Sequence, residues 1–189
     1  MSASEIFPLI SNHLSLDLVN TEIVRRGIRH DLLKENFADW IQTMQKSGNL
    51  VDEQFNKECV LSDGLNVFLD LRKFLRGGFE KIANGRHLDD QWVSHLEYLN
   101  EKAPLSFKLI SGNLVPIPVG TSLDAIVSLV AFDALRLYNT GDLEVLQRCA
   151  NPDCVLLFID TSGRRKWCSM KICGNRMKVS RHNRRNVDA

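Results

Sequence analysis

Four of the five cysteines in this 189-residue chain form two equal pairs near its C-terminal end, Cys149-x4-Cys154 and Cys168-x4-Cys173, with thirteen residues between the pairs. Two short cysteine knuckles about 12–20 residues apart have the spacing of a structural zinc site. Each tight turn aims two sulfurs at one point, and the loop between them is just long enough to bring the turns together. The spacing therefore predicts one structural Zn²⁺ held by Cys149, Cys154, Cys168 and Cys173. Four thiolates saturate a tetrahedral zinc, so such an ion holds a fold and activates no water. The competing arrangement, two disulfides, belongs to small secreted domains. Met1-Ser2-Ala3-Ser4-Glu5 has no long apolar run behind a basic start, so an export signal is not expected and a cytoplasmic setting is. Cys59 stands alone between helix-like segments and reads as a small core residue.

Charge divides along the same line. From Arg148 to Ala189 there are ten Lys/Arg against three Asp/Glu, a balance of +7 in a chain whose total is +1. Residues 1–147 therefore carry −6, and a near-neutral protein has an acidic body and a basic tail. Such asymmetry points to an anionic partner for the basic part. With 44% hydrophobic residues the chain can build a sizeable core, and no stretch approaches the ~18 apolar residues of a membrane-spanning helix.

The body reads as mostly helical. The stretch from Phe7 to Thr21 is apolar and broken by turn formers, and reads as a strand or hairpin running into a helical turn. Asn36 is placed to cap a helix carrying Phe37, Trp40, Ile41 and Met44, ending near Gly48. A short helix is expected around Glu53–Val60, then a long one over Asp63–Ala83 with Ser62 as its cap and a weak point at Gly77-Gly78. Asp89 or Asp90 opens another helix, with Trp92, Val93, Leu96 and Leu99 on its apolar stripe. Leu105–Val119 reads as a β-hairpin turning at Ser111-Gly112-Asn113, its second strand kept to an edge by Pro116 and Pro118. Thr121-x-x-Asp124 resembles a capping box before a buried helix that ends at Gly141. Near the cysteines, Val155–Ile159 and Arg165–Trp167 are expected to pair around Asp160–Gly163, and a helix to run from Met170 to about Arg185. Knuckle, hairpin and helix around one metal form a treble-clef arrangement. The fold class expected is α+β: a mostly helical N-terminal domain with a small β-hairpin over 1–141, then a basic, treble-clef-like zinc finger over 142–189.

Cys149-Ala150-Asn151-Pro152-Asp153-Cys154, Leu157-Phe158-Ile159-Asp160, Arg165-Lys166-Trp167-Cys168 and Cys168-Ser169-Met170-Lys171-Ile172-Cys173-Gly174-Asn175-Arg176 together resemble the CGNR zinc-finger family. Leu16-Asp17-Leu18-Val19-Asn20-Thr21, with Asp31-Leu32-Leu33 and Trp40, looks like the ABATE domain that this family carries ahead of the finger. The resemblance covers essentially the whole chain, and its C-terminal motif is the specific part. It implies a bacterial, stress-induced, DNA-binding transcription regulator whose front domain senses a ligand or dimerises.

As a helix, Gly174–Arg185 would place Arg176, Lys178, Arg181, Arg184 and Arg185 on one basic surface, with Arg164, Arg165 and Lys166 clamping a second stretch of backbone. Double-stranded DNA is the partner expected for these residues. Asn175 is expected to orient a metal ligand through an outer hydrogen bond. Asp17, Asn20 and Thr21 are read either as the lining of an effector pocket or as capping groups. Trp167 is expected in the core of the finger. The five histidines have no catalytic spacing, and no P-loop, G-x-S-x-G or H-E-x-x-H is present, so enzymatic activity is not expected. Two other readings stay open: a protein-interaction or RNA-binding adaptor built on the same finger, and a redox switch working through the zinc thiolates. A single small finger reads little sequence alone, so a homodimer is expected; no membrane partner is.

Overall fold

Helix α1 (Leu14–Val19) has six residues and every one is buried. The structure, a computed structural model, describes residues 6–179. Of the strand or hairpin running into a helical turn expected over 7–21, the helical part is α1, residues 7–13 form no strand, and a hairpin comes directly after the helix. β1 (Glu22–Arg25) pairs antiparallel with β2 (Ile28–Asp31) in the register Glu22↔Asp31 and Arg25↔Ile28. Arg26 and Gly27, both at positive φ, make its two-residue turn. Two helices follow, α2 (Leu32–Glu35) and α3 (Phe37–Lys46), the second burying Trp40, Ile41 and Met44 as expected.

Helix α4 (Lys57–Ala83) starts six residues before the expected position. Asn56 caps it by accepting the Cys59 N–H at 3.2 Å, while Ser62 lies inside and turns its hydroxyl back onto the Cys59 carbonyl. The short helix expected around 53–60 is thus a 3₁₀ turn, Asp52–Gln54, followed by the first turn of α4. Cys59 is exposed there, not a core residue. The helix runs without a break through Gly77-Gly78. Gly78 is needed because the Trp92 indole lies against it, where any Cβ would collide.

Trp92 comes from α5 (Asp90–Lys102), which Asp89 caps by accepting the Trp92 N–H at 2.9 Å. β3 (Leu105–Ile110) and β4 (Asn113–Pro118) form the expected hairpin, with Pro116 opposite Phe107 and Pro118 opposite Leu105. Thr121 then caps α6 (Ser122–Asn139), accepting the Asp124 N–H and donating to its carboxylate at 2.6 Å. This central helix packs against α1, α4 and α5.

The last sheet is β5 (Leu146–Arg148) paired antiparallel with β6 (Leu157–Ile159), Leu146 opposite Ile159. The expected partner of β6, Arg165–Trp167, is not a strand. Asp160 takes the N–H groups of Ser162 (3.1 Å) and Arg165 (2.7 Å), which curls 160–165 into a tight loop and frees that side of β6 from pairing. Leu157 and Phe158 are fully buried in the same apolar cluster that holds α1, α4 and α6. Among the described residues the architecture is mostly helical, with three small antiparallel two-stranded sheets and a C-terminal cysteine cluster. Among the described residues no helix is long and apolar enough to cross a membrane.

Candidate metal centre and its basic surroundings

Cys149 stands at the end of β5 and Cys154 closes the turn after it, so the hairpin itself fixes the first sulfur pair. Cys168 follows the curled 160–165 loop. Cys173 sits in a π-helical turn, Met170–Gly174, capped by the Ser169 side chain accepting the Ile172 N–H at 3.0 Å. Residues 175–179 continue as α-helix. The four Sγ atoms lie within 4.8 Å of one another, three of the cysteines being buried and Cys154 half-buried.

These positions fit one zinc ion. Zn–S bonds of about 2.3 Å in a tetrahedron place sulfurs about 3.8 Å apart, and Cys154 and Cys168 are separated by 3.9 Å. The surroundings fit thiolates: the Cys168 N–H donates to Cys149 Sγ and the Asn151 side-chain amide to Cys173 Sγ, each at 3.4 Å. By themselves Cys149, Cys154 and Cys168 compete for protons. Hydrogen bonds from the Cys154 and Cys168 thiols hold Cys149 down to about 2. Donating to Cys149 pushes Cys154 up to about 12, and donating to Cys149 and Cys154 pushes Cys168 up as well. A dication at the centre removes that competition and lets all four ionise.

Asn151, and not the expected Asn175, is the outer hydrogen-bonding partner of a ligand. Asn151 is buried and also accepts the Asp153 N–H at 3.2 Å, so it shapes the knuckle and touches a ligand at once. Asn175 is exposed on the helical segment, with no side-chain bond to a sulfur among the described residues. The signal for Asn151 in the sequence is its place inside the first knuckle, ahead of Pro152.

The pocket reading of Asp17, Asn20 and Thr21 does not match their surroundings; all three are buried and occupied by the protein itself. Asn20 donates to the Leu157 carbonyl at 2.9 Å and accepts its N–H at 3.0 Å, standing in for a strand on the open edge of β6. Thr21 donates to the Leu18 carbonyl and accepts from Arg72, whose guanidinium also grips both Asp31 oxygens at 2.7 and 2.6 Å. Asp17 accepts from the Ser11 hydroxyl at 2.7 Å, but its second oxygen has no partner, and burial pushes its carboxyl up to about 6. The capping alternative describes Thr21 best. Asn20 is a clamp between α1 and the finger.

Of the basic residues, Arg165 is committed to the fold. Its guanidinium lies over the Phe158 ring at 4.5 Å and donates to the Ile159 and Cys168 carbonyls. Arg148 pairs with Glu80 at 3.3 Å. Arg164, Lys166, Arg176 and Lys178 are exposed, and none is in an ion pair among the described residues. Arg181, Arg184 and Arg185 lie outside the described residues. Trp167 is half-buried and packs on the core cluster, as expected.

The comparison with known families falls on this same stretch. Residues 146–186 match the CGNR zinc finger family model. A zinc finger with a four-cysteine site is therefore present at the C-terminal end of the chain. No curated protein matches the chain. Among the described residues the finger is tied to the body by polar contacts of Asn20 with Leu157, Glu80 with Arg148, and Arg76 with the Val155 carbonyl at 3.1 Å. Arg76 carries no signal in the sequence, since a helical arginine gives no hint of its partner.

Proposed function

We propose that the protein is a zinc-dependent, DNA-binding transcription regulator, stress-responsive, whose N-terminal part is an ABATE-like domain that senses a small molecule or pairs two chains. The observation that carries this reading is the row of exposed, unpaired cations on a metal-fixed finger: Arg164 and Lys166 on the loop before Cys168, Arg176 and Lys178 on the helix after Cys173. Zinc fixes the spacing of the two groups, and arginine is suited to phosphate and to guanine edges. The sequence adds Arg181, Arg184 and Arg185 just beyond the described residues. A zinc filled by four thiolates supports a binding protein more than an enzyme, and free thiols suit a cytoplasmic setting.

The test is duplex binding by the full zinc-loaded chain across a salt series. Each phosphate neutralised contributes about −0.9 to the log–log slope, so about five contacts give a slope near −4 to −5. Arg176→Ala with Lys178→Ala should flatten that slope by about two and weaken binding to every sequence. No duplex affinity at low salt, with single-stranded RNA or a protein captured in its place, gives the adaptor reading the stronger claim. Loss of zinc and of duplex binding together at low peroxide favours the redox switch.

A further inference from the structure

A cleft of about 490 Å³ opens between the body and the finger. One wall is the segment Ile6–Ile10, a second is β1 from Ile23 to Arg25, and the third is the finger itself, including Leu156, Ile172 and the ligands Cys154 and Cys173. Its volume lies within the range of small-molecule sites, about 300–1,000 Å³. Phe7, Ile23, Leu156 and Ile172 give it apolar surface on facing sides. Three cations, Arg25, Lys171 and Arg176, also line it, and no carboxylate does among the described residues. None of the three is in an ion pair among the described residues.

We propose that this cleft binds a small amphipathic anion, an apolar body ending in a carboxylate. The apolar walls gain from covering a hydrocarbon chain, at about 25 cal/mol per Å² removed from water. The carboxylate is desolvated at the same time, and only cationic donors compensate for that; charge-assisted bonds to guanidinium and ammonium groups are the strong kind. An amphipathic cation would meet three like charges, and a neutral alcohol would leave them unanswered. Because the walls come from both α1's flank and the finger, a bound anion also fastens the finger to the body. This deepens the effector half of the reading above and rests on it; calorimetry without DNA reads it separately from duplex binding.

The experiment is calorimetric titration of the full zinc-loaded chain with decanoate, below its micellar concentration, and with 1-decanol. Decanoate should bind at least about tenfold more tightly than decanol, a difference of about 1.4 kcal/mol, and should raise Tm as any ligand of the native state does. Arg25→Gln with Lys171→Gln and Arg176→Gln, at unchanged zinc content, should abolish the preference while leaving decanol binding in place. Val24→Trp, which fills the cleft from β1, should remove binding of both. Equal affinity for the two probes, no binding of either, a preference that survives the triple substitution, or binding unchanged by Val24→Trp would each overturn the proposal.

Discussion

A single amide at Asn151 has two partners within the knuckle, donating to Cys173 Sγ and accepting the Asp153 N–H. Outer hydrogen bonds of this kind orient a ligand and stabilise its thiolate form, and losing one weakens metal affinity by about 10–100-fold. Asn151→Asp keeps the acceptor, removes the donor and sets a negative charge beside the sulfurs. Competition against a chromophoric chelator should show a loss of that size, and an affinity within twofold of the parent would refute the assignment. Asp17 gives the opposite kind of expectation. Burial disfavours its charge and pushes its carboxyl from the ordinary 3.8 up to about 6 in the folded chain. The folded state then binds the proton more tightly, so this residue's stabilising contribution is complete below pH 4 and lost as pH rises towards 6. Asp17→Asn should match the parent in urea near pH 4 and exceed it by about 2–3 kcal/mol at pH 7. A constant gap across that window would mean that the carboxyl is not the cause.

Within α4, two adjacent glycines look alike in sequence and differ in what surrounds them. Gly77 is exposed with nothing within 4 Å of a built Cβ, whereas Gly78 is covered by the Trp92 indole. Gly77→Ala should therefore stabilise by about 0.5–1 kcal/mol through helix propensity. Gly78→Ala should destabilise by about 1–3 kcal/mol, since α5 must move away. Chemical denaturation of the two variants side by side decides it; equal shifts would contradict the packing. The same pair marks what a sequence can express. Stripes, caps and proline edges are local, so α3, α5, the β3–β4 hairpin and α6 are legible in the chain itself. The start of α4 is not, because Ser62 and Asn56 offer the same capping chemistry and only the local geometry chooses between them. The pairing of β6 is equally hidden, because β5 and Arg165–Trp167 are both within reach of it along the chain. The metal ligands are legible from spacing alone. Asn151, Arg76 and the cleft between finger and body depend on contacts between distant segments, which spacing does not encode.

At the scale of the whole chain, the finger shares its hydrophobic cluster with the helices, through Leu156, Leu157 and Phe158. A structural zinc contributes on the order of 10–16 kcal/mol of apparent binding free energy, and here that stabilisation reaches beyond the finger. Chelating the metal should lower the thermal stability of the entire molecule, with near-UV signals from Trp40 and Trp92 lost in the same transition as the finger's Trp167. A helical body melting at an unchanged temperature after chelation would show the two parts to be energetically separate.

Asn20 occupies the open edge of β6, satisfying both backbone groups of Leu157 with one side chain. A finger excised and grafted elsewhere would present that edge bare, together with a naked Phe158, and would invite sticky strand-to-strand association. Gene fusions that borrow this finger should therefore succeed only when they carry α1 along with it.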